Sequence, residues 1–146
     1  MDESHSVEVL MVEDSEEDLQ LALRAFKKAN LLNRVHVARD GEEALDFLFC
    51  QNSRGNRRIE DTPRVILLDL KLPKVNGLEV LRRIKNDPRT KLIPVVVLTS
   101  SKEHRDVLAS YELGANSYIV KPVAFDGFAK AMQELGMYWM LLNNPP

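Results

Sequence analysis

Five residues in this chain could do chemistry together: the acidic pair Glu13-Asp14, then Asp69, Thr99 and Lys121. Each follows an apolar run: Val7 to Val12 before the pair, Val65 to Leu68 before Asp69, Pro94 to Leu98 before Thr99, and Ser117 to Val120 before Lys121. Three carboxylates brought close repel one another, which raises their pKa values and costs stability. A hard divalent cation removes that conflict, and Mg²⁺ is usually held by one or two carboxylates with waters. A lysine and a hydroxyl opposite would complete a pocket for a dianionic phosphoryl group. Taken singly, Asp69 is more simply read as a cap for the loop that follows it. Whether the five meet depends on the elements that carry them.

The run Arg64-Val65-Ile66-Leu67-Leu68-Asp69 shows no alternation, as expected of a strand covered on both faces. Pro73 and the Asn76-Gly77 pair predict irregular backbone before a helix from Leu78 to about Asp87. Upstream, Ser15 with Asp18 three residues later resembles a capping box. It opens a helix whose apolar stripe is Leu19, Ala22, Leu23, Phe26 and Ala29. Arg34 to Ala38 alternates like a half-exposed edge strand, and Asp40-Gly41 turns into a helix over Glu42 to Cys50. Residues 51–62 lack apolar periodicity and are expected to form an exposed loop. A further helix is predicted from about Glu103 to Leu113, and Phe125, Phe128, Ala129, Met132, Leu135 and Trp139 stripe a last one. The pattern is β-α five times over. It predicts an α/β fold: a doubly wound, five-stranded parallel sheet of order 2-1-3-4-5 with helices on both faces, the flavodoxin-like arrangement. In that order all five chemical residues reach one rim.

The totals limit the alternatives. The 146 residues suit one domain, with a core over about residues 7–135 and an apolar extension over 136–146. A net charge of -2 gives no electrostatic case for nucleic acid or a membrane surface. One cysteine, Cys50, excludes an internal disulfide and suits a reducing, cytoplasmic setting. The three histidines are too scattered for a zinc site.

The quoted residues also carry a family resemblance. Glu13-Asp14, the Asp69-x-x-x-Pro73-x-x-x-Gly77 spacing, Thr99 with small Ser100, and Tyr118-x-x-Lys121-Pro122 together resemble a response-regulator receiver domain, CheY-like in fold. The resemblance implies that Asp69 is the phosphoacceptor, taking its phosphoryl group from a phosphohistidine on a sensor histidine kinase. It implies that Asp14 ligates Mg²⁺, with Glu13 acting through water and Lys71 offering its backbone carbonyl. Glu13 stands where an aspartate is commoner, which lengthens one arm of the metal site. Lys121 and Thr99 would hold phosphoryl oxygens, and Thr99 with Tyr118 would form the switch. Such a protein is a signalling phosphoacceptor with slow self-dephosphorylation rather than a turnover enzyme. Lys71 and Ser101 are candidates for setting that lifetime. The long loop after the second helix and the aromatic tail resemble, more narrowly, the small receivers that partner cyanobacterial phytochrome kinases.

No effector domain is evident, so output is expected through binding in trans. The segment from Gly136 to Leu142 is apolar on every side, more than packing on one sheet requires. Tyr138, Trp139, Met140 and Leu142 are therefore expected at a twofold homodimer interface, together with the face formed by the fourth helix, fifth strand and fifth helix. Two other classes compete. An aspartate-nucleophile phosphohydrolase needs a second acid two residues after the nucleophile, and that position is Lys71. An interaction module that kept only the fold would have no need of Asp14, Asp69, Thr99 and Lys121 together.

Overall fold

The computed structural model describes residues 9–28, 34–49 and 62–121. The elements run β1 (Val9–Val12), α1 (Glu16–Lys28), β2 (Val35–Ala38), α2 (Gly41–Phe49), β3 (Val65–Leu68), α3 (Gly77–Asn86), β4 (Val95–Thr99), α4 (His104–Glu112) and β5 (Ser117–Val120). The five strands form one sheet of order β2-β1-β3-β4-β5, every neighbour parallel, as the apolar runs predicted. The three central strands are buried along their whole length. The edge strands β2 and β5 are mostly half-buried.

Side-chain alternation divides the sheet between two cores. Val9, Met11, Val65, Leu67, Val96 and Leu98 face Leu19, Ala22 and Phe26 of α1. Leu10, Val12, Ile66, Leu68, Val95 and Val97 face α2 and α3, through Leu45, Leu48, Val80, Leu81 and Ile84 among others. An unalternating strand is the natural result, since both of its faces are covered.

Two local expectations change. The irregular backbone ends within the Asn76-Gly77 pair: Asn76 is the N-cap of α3, its Oδ1 accepting the Glu79 N–H at 3.0 Å, and Gly77 is the first helical residue. The left-handed backbone instead falls on Lys74, at φ 69°. The capping box at α1 is only half made. Ser15 Oγ accepts the Asp18 N–H at 3.4 Å, but the Ser15 N–H goes to Glu13 Oε2 at 3.2 Å, and the Asp18 carboxylate points elsewhere. The expected last helix, with Tyr138, Trp139, Met140 and Leu142, lies outside the described residues, as do Cys50 and most of the loop after α2.

Candidate functional site

Parallel pairing brings the chemical residues to one rim. The Glu13 N–H donates to the Ala38 carbonyl at 3.0 Å and the Asp69 N–H to the Val12 carbonyl at 3.1 Å. Leu68 lies opposite Val97 and Val120 opposite Thr99, while the Lys121 N–H donates to the Thr99 carbonyl at 2.7 Å. The strand ends are therefore in register by hydrogen bonding and lie along one rim, the edge at which open α/β sheets bind ligands.

Lys121 ties the carboxylates together. Its Nζ donates to Asp18 Oδ2 at 2.7 Å, Glu13 Oε1 at 2.9 Å and Asp69 Oδ2 at 3.2 Å. Glu13, Asp69, Thr99 and Lys121 are all buried, while Asp14 is exposed. Burial pushes the Glu13 carboxyl up to about 7, with the nearby Asp69 charge adding to it against the opposing pull of Lys121. Burial also pulls the Lys121 amine down, but its bonds to Asp18 and Glu13 and the charge of Asp69 outweigh that and hold it above its ordinary value.

Glu13, Asp14 and Asp69 each offer a carboxylate oxygen within 4.8 Å of the others. An all-oxygen, anionic set is what a hard divalent cation requires, and a buried carboxyl driven toward its neutral form is what such a cation would re-ionise. The residues fit the ion. Lys71 is exposed, and its N–H donates to Asp69 Oδ1 at 3.2 Å.

The loop that bears Lys71 is fixed by glycine. The Gly77 N–H donates to the Leu70 carbonyl at 2.9 Å, and a Cβ on Gly77 would come within 2.3 Å of the Asp69 carbonyl oxygen. Gly41 makes a similar approach from α2: its N–H donates to the Pro73 carbonyl at 3.3 Å, and a Cβ there would meet the Val75 carbonyl oxygen at 1.9 Å.

On the other side, Thr99 Oγ1 accepts the Ser101 N–H at 3.5 Å, and Ser101 Oγ donates to Asp106 Oδ2. The Tyr118 hydroxyl donates to the Ser101 carbonyl at 3.0 Å, so the half-buried tyrosine on β5 is bonded to the loop that follows Thr99. Burial holds the phenol above its usual pKa. The five strand-end residues are thus brought together, with Lys71 and Tyr118 beside them. Sequence reasoning missed Asp18, whose place in the first helical turn had a sufficient explanation in capping, and missed the bonds converging on Ser101.

The family described as response regulator receiver domain matches residues 9–133. The response regulator Rcp1 of Synechocystis is 41% identical over 140 residues, covering 95% of this chain and 93% of its own. Its Mn²⁺-bound crystal structure superposes with a TM-score of 0.79 at 41% identity, covering 90% of this chain and 92% of that one. The phosphorylated cyanobacterial phytochrome response regulator RcpA gives a TM-score of 0.82 at 36% identity, covering 92% and 94%. The probable methanogenesis regulatory protein FilR2 of Methanothrix harundinacea is 40% identical over 138 residues, covering 94% of this chain and 86% of its own.

Proposed function

Since the chain belongs to the response-regulator receiver family, we propose that it accepts a phosphoryl group on Asp69 from a sensor kinase phosphohistidine, in a Mg²⁺-dependent transfer. The observation that carries this reading is the junction at Lys121: one buried ammonium bonded to both Asp69 and Glu13, beside three carboxylates close enough to share a cation. The Mn²⁺-bound Rcp1 and phosphorylated RcpA structures support it by likeness.

A carboxylate oxygen of Asp69 attacks phosphorus in line as the bond to the histidine nitrogen breaks. The transition state is loose, so the protein's task is alignment and charge neutralisation. Lys121 holds Asp69 in place beforehand and passes a hydrogen bond to a phosphoryl oxygen afterwards. Thr99 Oγ1 and the Ser100 N–H are assigned to the remaining oxygens. Glu13, Asp14, Asp69 and the Lys71 carbonyl would hold Mg²⁺, which when bound neutralises the carboxylates and draws off charge from the transferring group. As Thr99 turns toward the phosphoryl group, its bond from the Ser101 N–H is released, and Tyr118 feels the change through the Ser101 carbonyl.

We assign the donor to a phytochrome-type, light-regulated histidine kinase, with Rcp1 and RcpA as support. FilR2, of nearly equal identity, has a regulatory name of another kind, so the donor needs its own test. The chain is assigned to the cytoplasm as a single receiver domain, and no helix among the described residues is long and apolar enough to cross a membrane. Output is assigned to a homodimer through α4, β5 and the C-terminal segment with Tyr138, Trp139, Met140 and Leu142. On α4, Leu108 and Tyr111 are each 49% exposed one turn apart, in keeping with that surface.

Acetyl phosphate with Mg²⁺ tests the chemistry. Labelling that disappears in Asp69→Asn is expected; labelling that survives the substitution, or never occurs, would favour an interaction module. Phosphotransfer profiling against a panel of histidine kinases tests the donor, and sedimentation at micromolar concentration, with and without phosphorylation, tests the dimer.

A further inference from the structure

An ammonium carries three donors and accepts nothing. All three on Lys121 are committed to carboxylates, and the shortest bond is not to Glu13 or Asp69 but to Asp18, at 2.7 Å. Asp18 differs from the other two in its surroundings. Its side chain is 38% exposed, against 1% for Glu13 and 7% for Asp69. Nor does α1 need this carboxylate as a cap, since the Ser15 N–H is already bonded to Glu13 Oε2 and the Asp18 N–H to Ser15 Oγ.

We propose that Asp18 is a positioning residue that competes with an incoming phosphoryl group for Lys121. The inference rests on the assignment of Asp69 as phosphoacceptor. A phosphoryl oxygen on Asp69 takes over the donor that Asp69 itself held, while the other two donors of Lys121 stay committed to Glu13 and Asp18. Glu13 is enclosed and cannot turn to water. Asp69 loses its carboxylate charge when it becomes an acyl phosphate, which weakens its own hold on the amine. Asp18 keeps its full charge. If it stays on Lys121, it drains the charge that the phosphoryl group needs and adds a negative neighbour to a dianion; if it swings into solvent, it gives up its shortest bond. Either course raises the energy of the phosphorylated state. The acid on α1 thus sets how readily the rim captures a phosphoryl group.

Beryllofluoride, a tetrahedral phosphoryl mimic, gives the test on the full chain at saturating Mg²⁺. In Asp18→Asn, beryllofluoride affinity is expected to rise about two- to fivefold, the scale of one partly exposed charge interaction. Mg²⁺ affinity measured alone should stay level or fall, because a negative charge has been removed. Asp18→Glu should behave like the parent. Asp18→Ser, which also lacks the charge, is read in parallel in case the amide disturbs folding, and should rise in the same way. A general loosening of the site would lower both affinities, and unchanged or weaker beryllofluoride binding in the uncharged variants overturns the proposal. If the parent itself fails to bind the mimic, or binds it equally well as Asp69→Asn, the phosphoacceptor assignment fails instead.

Discussion

The loop after Asp69 and the loop after Thr99 leave neighbouring strands and border the same carboxylates, yet they are held by different means. The first is locked at the level of the backbone. Gly77 and Gly41 admit carbonyl oxygens where any Cβ would collide, Asn76 caps α3, and Lys74 takes a left-handed φ that few non-glycine residues adopt. The second is held by side-chain hydroxyls. Ser101 Oγ donates to Asp106 and accepts the Glu103 N–H at 3.3 Å, while Tyr118 holds the Ser101 carbonyl. Hydroxyl bonds of net worth about 1 kcal/mol can be exchanged one for another, whereas a backbone packed against glycine has no alternative arrangement at similar energy. The proposed phosphoacceptor role would use both: a fixed side to present cation-binding oxygens and a side that can rearrange when a phosphoryl group arrives.

The largest effect should come from filling the locked side. Gly77→Ala places a methyl 2.3 Å from the Asp69 carbonyl oxygen, and because the obstacle is backbone the loop itself must move. A loss of about 3 kcal/mol is expected in urea unfolding, accompanied by weakened Mg²⁺ binding. An alanine variant with parental stability and metal affinity would mean that the loop is not locked, and the contrast between the two sides would be gone.

The fold and most of the rim were legible in the sequence for a physical reason. Strands covered on both faces must be continuously apolar, so Val65 to Leu68 and Val95 to Leu98 announce a parallel sheet, and parallel strands must all end on one side. Asp69, Thr99, Lys121 and the Glu13-Asp14 pair follow from that rule alone. Asp18 was hidden because an acid in the first turn of a helix already satisfies the helix dipole. Gly77 was read as turn chemistry because composition cannot distinguish a glycine needed for its φ from one needed for its missing Cβ. The bonds at Ser101 were hidden because hydroxyl partners are set by tertiary placement, not by spacing.

Two smaller perturbations sharpen the comparison by separating stability from mobility. Asn76→Ala removes the cap on α3 and should cost about 1 kcal/mol. Tyr118→Phe removes only the hydroxyl on the Ser101 carbonyl and should cost about 1 kcal/mol or less. Their effects on local opening should differ. Hydrogen exchange is expected to quicken at Ser101 to Glu103 in Tyr118→Phe while the amides of residues 71–77 keep their parental rates. Equal quickening in both loops would show that they open as one unit and that hydroxyl bonding does not distinguish them.

The smallest effect concerns charge on the locked side. Glu79, whose N–H is capped by Asn76, bonds Arg82 and Arg83, and these arginines hold its carboxyl down at about 2. A depressed carboxyl stabilises the fold above its ordinary titration range, and the contribution disappears as pH falls through the folded value. Glu79→Gln should therefore melt slightly below the parent near neutral pH, with the gap closing between about pH 4.5 and 2. The side chains lie at the surface, where screening by solvent and salt leaves such pairs little weight. A large gap at neutral pH, or one that persisted below pH 2, would mean that the rigidity beside Asp69 is electrostatic, whereas a small pH-dependent gap leaves it with the two glycines.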